Sequence, residues 1–499
     1  MRDFLRRPVA LYGVASFFSI VLTLIAVQRT WVINPDGMCY LQMAEAIYHG
    51  LDISKFGCAE AGPFFSMVMA KIAQFTGAPF LVIGNTLDGF FSLLSVLFFI
   101  GIVRQLTSDH RIQWLAVLVI LISHEFNAIR SDIIRDHGFW AFYLISMYLF
   151  LRYISLEQNR KRIFTALSLG ASLIIAGLFR VEGFVFLMLV PFTVLVLPES
   201  FFQRITRFIE INLLSIIAGI SLFIWLLMHP HHHAIARLQQ LHDHLIYGFP
   251  IFIDAFQSTA DRLALQVLSV YSARDAQLIL FLMLVSWYVV SVIVNLTLVF
   301  SALVMYAWVK KLAQWKKSQH IVIWAYVLIN VLITFVVLAE NLFLAKRYLL
   351  ALSLTLTIWV PFALNDVLIR WKNRRGLLFL LALLLIYTAM GGICQFGANK
   401  KYVRLAGDWA AQHVPNHVKI FSNDYQLMYY SHHTDYDLKS GLEFIQDGKW
   451  RNYDWLMLHV NHDAADAAIV TQITESPVKT FHNHRNDQIL IYHIHHTTN

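Results

Sequence analysis

The chain has 499 residues, of which 58% are hydrophobic and only 14% are charged. A soluble domain has about 25% charged residues, so this composition excludes an ordinary soluble protein and indicates a polytopic membrane protein. The formal net charge is +8. Lys and Arg lie mainly in short segments between apolar runs, where they determine topology, so we predict no nucleic-acid partner.

About eleven apolar segments have the length expected of membrane spans, since a spanning helix needs about 20 mostly apolar residues. The third and fifth are short and the eighth is long, so ten to twelve spans are compatible with the sequence. No small-residue cleavage site follows the first segment, which we expect to be retained. The segments lie near 9–28, 82–103, 113–129, 138–154, 163–179, 182–198, 208–228, 277–308, 320–339, 345–364 and 376–395.

Basic residues fall in every second loop, which predicts a cytoplasmic N-terminus. With an odd number of spans, the C-terminus lies on the outer side. The basic positions are Arg104, Arg111, Arg160, Lys161, Arg162, Arg204, Arg207, Lys310, Lys311, Lys316, Lys317, Arg370, Lys372, Arg374 and Arg375.

This topology predicts a transmembrane domain over 1–398 and a polar extracytoplasmic domain over 399–499. Two large outer loops, about 29–80 and 229–275, belong to the transmembrane domain. The second begins with a run of histidines, but consecutive histidines point in different directions and no spaced Cys or carboxylate completes a metal site.

Short patterns within these outer segments predict local structure. In the first loop, 40–50 and 63–76 are apolar stretches typical of interfacial helices. In the C-terminal region, a helix is expected around 401–412, and the apolar runs 418–421 and 489–492 favour strands. We therefore expect a small α/β or α+β domain.

One acidic residue, Asp36, lies just after the first apolar segment. Pro35 and Gly37 predict a turn around it, which places its carboxylate just outside the membrane. The stretch from Tyr40 onward predicts a helix with Asp36 near its N-terminus. Two interpretations stay open, because Asp36 suits a helix cap as well as a catalytic base.

The chain has three cysteines. Cys39 and Cys58 fall in the same predicted outer loop, so a disulfide is compatible with an oxidising compartment. Spacing does not establish disulfide geometry, and the pairing stays open at this stage.

Further charged side chains collect at the predicted outer ends of the spans. Such groups are costly at a membrane border unless they are paired or functional. Any single pair is explained by a local salt bridge or a topology signal, but the set on one face indicates a site. Its members are Asp36, Arg130, Asp132, Arg135, Asp136, Arg180, Glu182, Glu340, Lys346 and Arg347.

Such a set suits sugar transfer from a lipid phosphate. A carboxylate at the interface can accept the proton of an acceptor hydroxyl as the new bond forms. The leaving polyprenyl phosphate gains negative charge, and the guanidinium of Arg binds phosphate oxygens in a bidentate manner.

The motifs resemble, in order, those of the GT-C superfamily of membrane glycosyltransferases. The similarity is to glycosyltransferase family 39 and its bacterial relatives, the protein O-mannosyltransferases and the lipid A aminoarabinose transferase. Residues 36–41 (D-G-M-C-Y-L) are similar to the first-loop acidic motif and 62–65 (G-P-F-F) to a Pro-containing stretch after it. Residues 136–142 (D-H-G-F-W-A-F), 180–183 (R-V-E-G) and 347–350 (R-Y-L-L) resemble later motifs.

The resemblance implies roles for individual residues. Asp36 would be the catalytic base, and Asp136 a second catalytic acidic residue that orders the site. Arg180 and Arg347 would contact the donor phosphate, assisted by Lys346. The full set implied to bind substrate is Tyr40, Arg180, Glu182, Lys346 and Arg347.

The activity implied is that of an inverting hexosyl- or pentosyltransferase. It would move a sugar from a polyprenyl-phosphate donor to a lipid, glycan or protein acceptor at the periplasmic face of a bacterial inner membrane. Either no metal is required, or a divalent ion is held by Asp36 and Asp136.

Two other classes of function stay open. A transporter or lipid flippase would use the same charges to line a path, although the charges favour one face and no broken helices recur in corresponding halves. A structural or assembly subunit would use the C-terminal domain for binding.

Overall fold

The computed structural model describes residues 8–54, 56–59, 62–228, 250, 252–394, 399–433, 435–439, 441–462 and 464–495. This part of the chain is mostly helical, with a five-stranded sheet near its C-terminal end. The histidine run of the second predicted outer loop, 229–233, lies outside the described residues, as do His242 and His244.

Among the described residues, sixteen α-helices, numbered α1 to α16, precede the C-terminal domain, and a further helical stretch covers residues 252–266. The labelled helices are α1 (Pro8–Arg29), α2 (Pro35–Tyr48), α3 (Phe64–Thr76), α4 (Phe80–Leu106), α5 (His110–Leu121), α6 (His124–Ala128), α7 (Asp136–Ser155), α8 (Asn159–Phe179), α9 (Glu182–Leu189), α10 (Phe201–Met228), α11 (Ala276–Leu296), α12 (Leu298–Val309), α13 (Lys317–Asn341), α14 (Leu350–Thr357), α15 (Val360–Arg370) and α16 (Arg375–Cys394).

The described part of the chain contains seven helices long and apolar enough to cross a membrane, or eight if one bent pair is counted as a single span. The bent pair is Lys346–Thr357 with Val360–Arg370, which meet at 48°. The predicted multi-pass helical membrane protein is confirmed, whereas the count of about eleven spans is not. The difference arises because several predicted spans are interrupted.

The interruptions have local causes. The third predicted span, 113–129, ends its first helix at Leu121 and starts a separate helix, α6, after Ser123. The sixth predicted span, 182–198, begins as α9 and continues as a 3-10 helix that starts one residue before Pro191. The eighth, 277–308, is two helices separated at Thr297, which has φ 70°.

By contacts, the described residues form two compact units, and α1 and α4 contribute to both. One unit comprises described residues of Met1–Thr23, Gly89–Arg130 and Arg135–Cys394. In this unit α8 packs against α7, α9 and α10. The division predicted at residue 398 stays a prediction about domain organisation.

The other unit comprises described residues of Leu24–Asp88, Ser131–Ile134 and Gln395–Asn499. It therefore joins most of the first predicted outer loop to the C-terminal region. The C-terminal elements are α17 (Lys401–His413), β1 (Ile420–Ser422), α18 (Tyr425–Ser431), β2 (Tyr436–Leu438), α19 (Glu443–Gln446), β3 (Trp455–Val460), α20 (Ala464–Val470), β4 (Lys479–His482) and β5 (Gln488–His493).

The sheet has the strand order β2-β1-β3-β5-β4. β1 runs parallel to β2 and β3, whereas β5 is antiparallel to β3 and β4. Ile420 is paired with Trp455, and Met457 with Ile491, which sets the register of the central strands. The small α/β domain, its first helix and both predicted strands are confirmed.

The first loop packs against this domain within the same unit. Val32 and Met38 belong to the same apolar core as Tyr430. The backbone N–H of Ile33 donates to the Tyr430 hydroxyl at 2.9 Å, and its carbonyl accepts from the Gln426 amide at 2.7 Å. Burial and satisfied backbone groups thus hold the segment that leads into α2.

The start of α2 differs from the helix cap considered for Asp36. The N-cap residue is Asn34, Pro35 takes the first helical position, and Asp36 lies in the first turn. The Asn34 side chain makes no capping bond and instead accepts from the N–H of Ile133 at 2.9 Å. An acid in the first turn is still favoured by the helix dipole, but Asp36 is not the cap.

A disulfide joins Cys39 on α2 to Cys58, and it settles the pairing that the sequence left open. It closes a loop with a sequence separation of 19 residues. A cross-link of this span stabilises a fold by about 3 kcal/mol in the chain-entropy account.

We expect Cys58→Ser to lower the melting temperature of the purified protein and to leave Cys39 open to maleimide labelling. The matched control is Cys394→Ser, which changes a free cysteine and should leave the melting temperature unchanged. Equal melting temperatures for the two variants would contradict a stabilising disulfide.

Candidate active site

The turn between α8 and α9 presents Arg180. This residue follows the last residue of α8 with extended backbone angles, φ −146° and ψ 140°. Its N–H donates to Ala176 and its carbonyl accepts from Gly183, both at 2.9 Å. The chain therefore reverses within two residues while Arg180 stays fixed at the end of the helix.

Glycines allow this turn to pack closely. A Cβ at Gly183 would overlap the backbone of Gly177 on α8, and a Cβ at Gly138 on α7 would overlap the ring of Phe179. Because neither neighbour can move far, larger side chains at these positions would force α7, α8 and α9 apart.

Arg180 forms ion pairs with two carboxylates. One terminal nitrogen donates to Asp136 on α7, and the other donates to Glu182, which also accepts from Nε at 3.1 Å. The exposed fractions of the Arg180, Asp136 and Glu182 side chains are 10%, 4% and 16%. Burial makes each charge depend on its partners, since an unpaired charge is expensive away from water.

A second cation lies close to this cluster. The guanidinium carbons of Arg180 and Arg347 lie 4.8 Å and 5.5 Å from the centre of the Tyr348 ring. These distances are typical of cation–π contacts. Arg180, Glu182, Arg347 and Tyr348 all line one narrow cleft, together with Asn330 and apolar side chains of α7 and α13.

The cleft combines charge with apolar walls. Its free volume is only about 10 Å³, which is room for a single water molecule. Its walls include Phe139, Trp140 and Val337. A charged head group with an apolar chain matches this mixture, although the cleft must widen to admit one.

Lys346 lies one residue before Arg347 but does not line the cleft. Its ammonium group donates to Glu125 on α6 at 2.7 Å. The break between α11 and α12 contributes to this region, because Asn295 donates to the Lys346 carbonyl at 2.7 Å and accepts from Ser353 at 2.6 Å. The interruption of the predicted long span therefore helps to hold the segment that carries both cations.

The structure thus brings Asp136, Arg180 and Glu182 into direct contact and places Arg347 on the same cleft. Asp36 and Tyr40 lie on α2 in the other compact unit. Asp36 is half-buried. Tyr40 is 5% exposed, and its ring meets Phe65 of α3 edge-on with centroids 5.7 Å apart.

Arg130, another member of the predicted outer set, has structural partners. Arg130 is 1% exposed and donates through Nε to Asn127 at 3.1 Å and through a terminal nitrogen to Ser19 at 3.1 Å and Thr23 at 3.2 Å. Its guanidinium also lies 4.9 Å from the centre of the Phe126 ring. Arg130 therefore links α1 to the segment after α6.

Sequence reasoning missed Glu125, which is 5% exposed and pairs with Lys346. The available signal was an acidic residue inside a predicted span, which is costly unless the residue is paired or used. The predicted substrate-binding set also omits Tyr348 and Asn330. Tyr348 belongs to the 347–350 motif that carries the resemblance, whereas nothing in the local sequence distinguishes Asn330 from a packing residue.

A metal site was one of the open predictions. Among the described residues, no group of three His, Cys, Asp or Glu side chains is arranged to hold a metal ion. The divalent ion was assigned to Asp36 and Asp136, and that assignment stays a prediction. Asp136 is ion-paired with the guanidinium of Arg180.

The fold is shared with solved membrane glycosyltransferases. An oligosaccharyltransferase of Archaeoglobus fulgidus, crystallised with zinc and sulfate, aligns with a TM-score of 0.57 at 12% identity over 95% of this chain and 73% of that one. The mycobacterial arabinofuranosyltransferase AftD aligns with a TM-score of 0.50 at 11% identity over 98% of this chain and 42% of that one. ArnT of Cupriavidus metallidurans gives a TM-score of 0.45 at 12% identity over 97% of each chain.

At the level of sequence, the family model described as dolichyl-phosphate-mannose-protein mannosyltransferase matches residues 86–238. This range contains Asp136, Arg180 and Glu182. No curated protein matches the chain by sequence. The family model covers less than half of the chain, and the solved glycosyltransferases with TM-scores of 0.57 and 0.50 show a shared membrane-protein fold.

The buried ion cluster yields a stability prediction. Arg180→Met leaves Asp136 and Glu182 without their shared cation, and we expect it to destabilise the protein by about 3–5 kcal/mol. The measurement is the melting temperature of the purified full-length protein in detergent.

Arg370→Met is the matched control, because it removes an ion pair with Asp366 in which the arginine side chain is 57% exposed. An exposed pair contributes about 0–1 kcal/mol. If both variants melt at the same temperature, Arg180 does not compensate a buried cluster.

Proposed function

We propose that the chain transfers a sugar from a polyprenyl-phosphate donor to a lipid, glycan or protein acceptor at the outer face of a membrane. The observation that carries this proposal is the cleft of Arg180, Arg347 and Tyr348 inside an apolar helical bundle. Fixed cations beside apolar helices suit a phosphate attached to a lipid chain.

The family match supports the donor class. The matching family is described as acting with dolichyl-phosphate mannose, a sugar on a polyprenyl-type phosphate. The acceptor stays broad, although one solved form of the Archaeoglobus oligosaccharyltransferase, with a TM-score of 0.54, is tethered to an acceptor peptide.

Arg347 is proposed to bind the donor phosphate, and Arg180 to assist it. An arginine has five N–H donors. The described bonds of Arg180 use three nitrogen atoms, each through one N–H, which leaves two N–H groups for a phosphate oxygen. Asp136 and Glu182 then orient Arg180, and Lys346, paired with Glu125, is a secondary cation.

Asp36 is proposed to act as the base. It accepts the proton of the acceptor hydroxyl while that oxygen attacks the anomeric carbon of the donor sugar. The bond between the anomeric carbon and the phosphate oxygen breaks, and its electron pair leaves with the polyprenyl phosphate. One displacement of this kind inverts the configuration at the sugar carbon. Tyr40, buried one turn later on α2, would support the position of Asp36.

Membrane topology follows as part of the same proposal. The N-terminus lies in the cytoplasm, and the first loop and the C-terminal domain lie in the periplasm of a bacterial inner membrane. The distribution of basic loops supports this orientation.

Replacing Asp36 with Asn removes the base while keeping the side chain's size. We expect sugar transfer from radiolabelled polyprenyl-phosphate sugars to native lipids and glycans to fall by about 10²–10⁴-fold. Asp52→Asn is the control from the same loop, where Asp52 is exposed and accepts from the Ser54 N–H. Full activity of Asp36→Asn would remove the residue from its proposed role.

Arg347→Ala tests the phosphate contact. Charge-assisted hydrogen bonds contribute about 1.5–3 kcal/mol, so we expect the Kd for polyprenyl phosphate to rise by about 10- to 100-fold. The control is Arg370→Ala, an exposed arginine paired with Asp366 on the same α15 helix. Donor affinity equal to wild type would exclude Arg347 from phosphate binding, and binding without transfer by the wild type would favour a flippase.

A further inference from the structure

A second cavity lies within the unit that contains the first loop and the C-terminal domain. Its free volume is about 430 Å³, within the range of small-molecule sites. Gln42 and Glu45 of α2 form one side, and the N-terminal end of α4 contributes Phe80 and Leu81. The opposite side comes from the C-terminal domain through Met428, Tyr429, His432, His433 and Tyr436.

This cavity is separate from the side of α2 that carries Asp36. An α-helix turns by about 100° and rises by about 1.5 Å per residue, so Glu45 lies about half a turn around the helix and about 14 Å along it from Asp36. The residues matched by the family model, 86–238, contribute nothing to the lining. The lining therefore contains none of the residues to which the chemistry above is assigned.

The lining favours an uncharged polar ligand over an anion. It combines tyrosine rings and apolar side chains with hydrogen-bonding groups, and none of the described lining residues is Lys or Arg. Glu45 adds a carboxylate. A phosphate or other anion is therefore disfavoured, whereas sugar hydroxyls pair with carboxylate, amide and imidazole groups and the C–H face of a sugar packs on tyrosine rings.

His433 is a buried polar residue of the lining. It is 6% exposed, and its Nε2 lies 3.1 Å from the carbonyl of Val414. A carbonyl only accepts, so Nε2 carries the proton and holds the ring in place. Its Nδ1 is closed to solvent, so the hydrogen-bonding groups that a ligand can reach include those of Gln42, Glu45 and the two tyrosines.

The two tyrosines are suited to hydrogen bonding as neutral phenols. Burial, with neighbouring Tyr430 and Glu45, raises the pKa of Tyr429 above its ordinary value. Burial likewise raises the pKa of Tyr436. Both hydroxyls therefore keep a proton to donate at neutral pH.

We propose that this cavity binds a saccharide unit, with Glu45 accepting from its hydroxyls and Tyr429 or Tyr436 packing on its face. The inference rests on the proposed function, because it makes the saccharide part of a glycan acceptor. It identifies the acceptor class and gives the C-terminal domain a role in recognition.

The experiment uses full-length protein purified in detergent. Fluorescently labelled protein is applied to an array of di- to hexasaccharides of glucose, galactose, mannose and N-acetylglucosamine, and the Kd of each ligand found is measured in solution. We expect at least one ligand, with a Kd raised 10-fold or more by Glu45→Gln and by Tyr429→Ala. Glu45 is exposed, so its substitution tests the site even if Tyr429→Ala fails to fold.

Glu443→Gln is the matched control, because Glu443 is exposed on α19 and absent from the lining. Its Kd should equal that of wild type. No binding to any array member, or unchanged binding by Glu45→Gln, overturns the inference.

The two proposals fail separately. Transfer by wild type without oligosaccharide binding rejects the saccharide site and leaves the transferase standing. Binding that depends on Glu45, in a protein whose transfer survives Asp36→Asn, supports the saccharide site and rejects the proposed base.

Discussion

The shared ion pair of Arg180 with Asp136 and Glu182 is the constraint around which the helical unit is arranged. Three charges with little exposure are tolerable only while each keeps its partners. This requirement explains the close turn between α8 and α9 and the glycines where a side chain would separate the helices. A site of this kind is assembled by packing before any substrate arrives.

The same cluster limits how strongly the cleft region attracts an anion. Its cations are Arg180, Arg347 and Lys346, and its paired carboxylates are Asp136, Glu182 and Glu125, so three formal positive charges meet three negative ones. A phosphate is then held by the placement of N–H donors rather than by excess charge.

The sequence was sufficient for features that depend on local pattern. The lengths of the apolar segments predicted a helical membrane protein, and short apolar runs predicted β1 and β5 in the C-terminal domain. The contact between residues 136, 180 and 182 was not readable from spacing, although the resemblance placed all three in one site. The break at Thr297 escaped prediction because apolar residues continue on both sides of it and only the backbone changes direction. At Ser123, the polar residues His124 and Glu125 that follow were an available signal.

Long-range contacts account for what else was missed. Glu125 and Lys346 are separated by 221 residues, and the bond of Tyr425 to Gln42 spans 383 residues. No periodicity carries that information. The cavity of the second unit is of the same kind, since α2 and α18 supply its walls from opposite ends of the sequence.

The disulfide between Cys39 and Cys58 has a consequence for the timing of maturation. It cross-links the helix that carries Asp36 to a later part of the first loop. Such a bond does not persist in the cytosol, where thiols stay reduced. In the proposed topology, a newly made chain therefore lacks this disulfide until the loop has been exported and oxidised. The cross-link on the helix of the proposed base then forms only on the side of the membrane where the proposed transfer takes place.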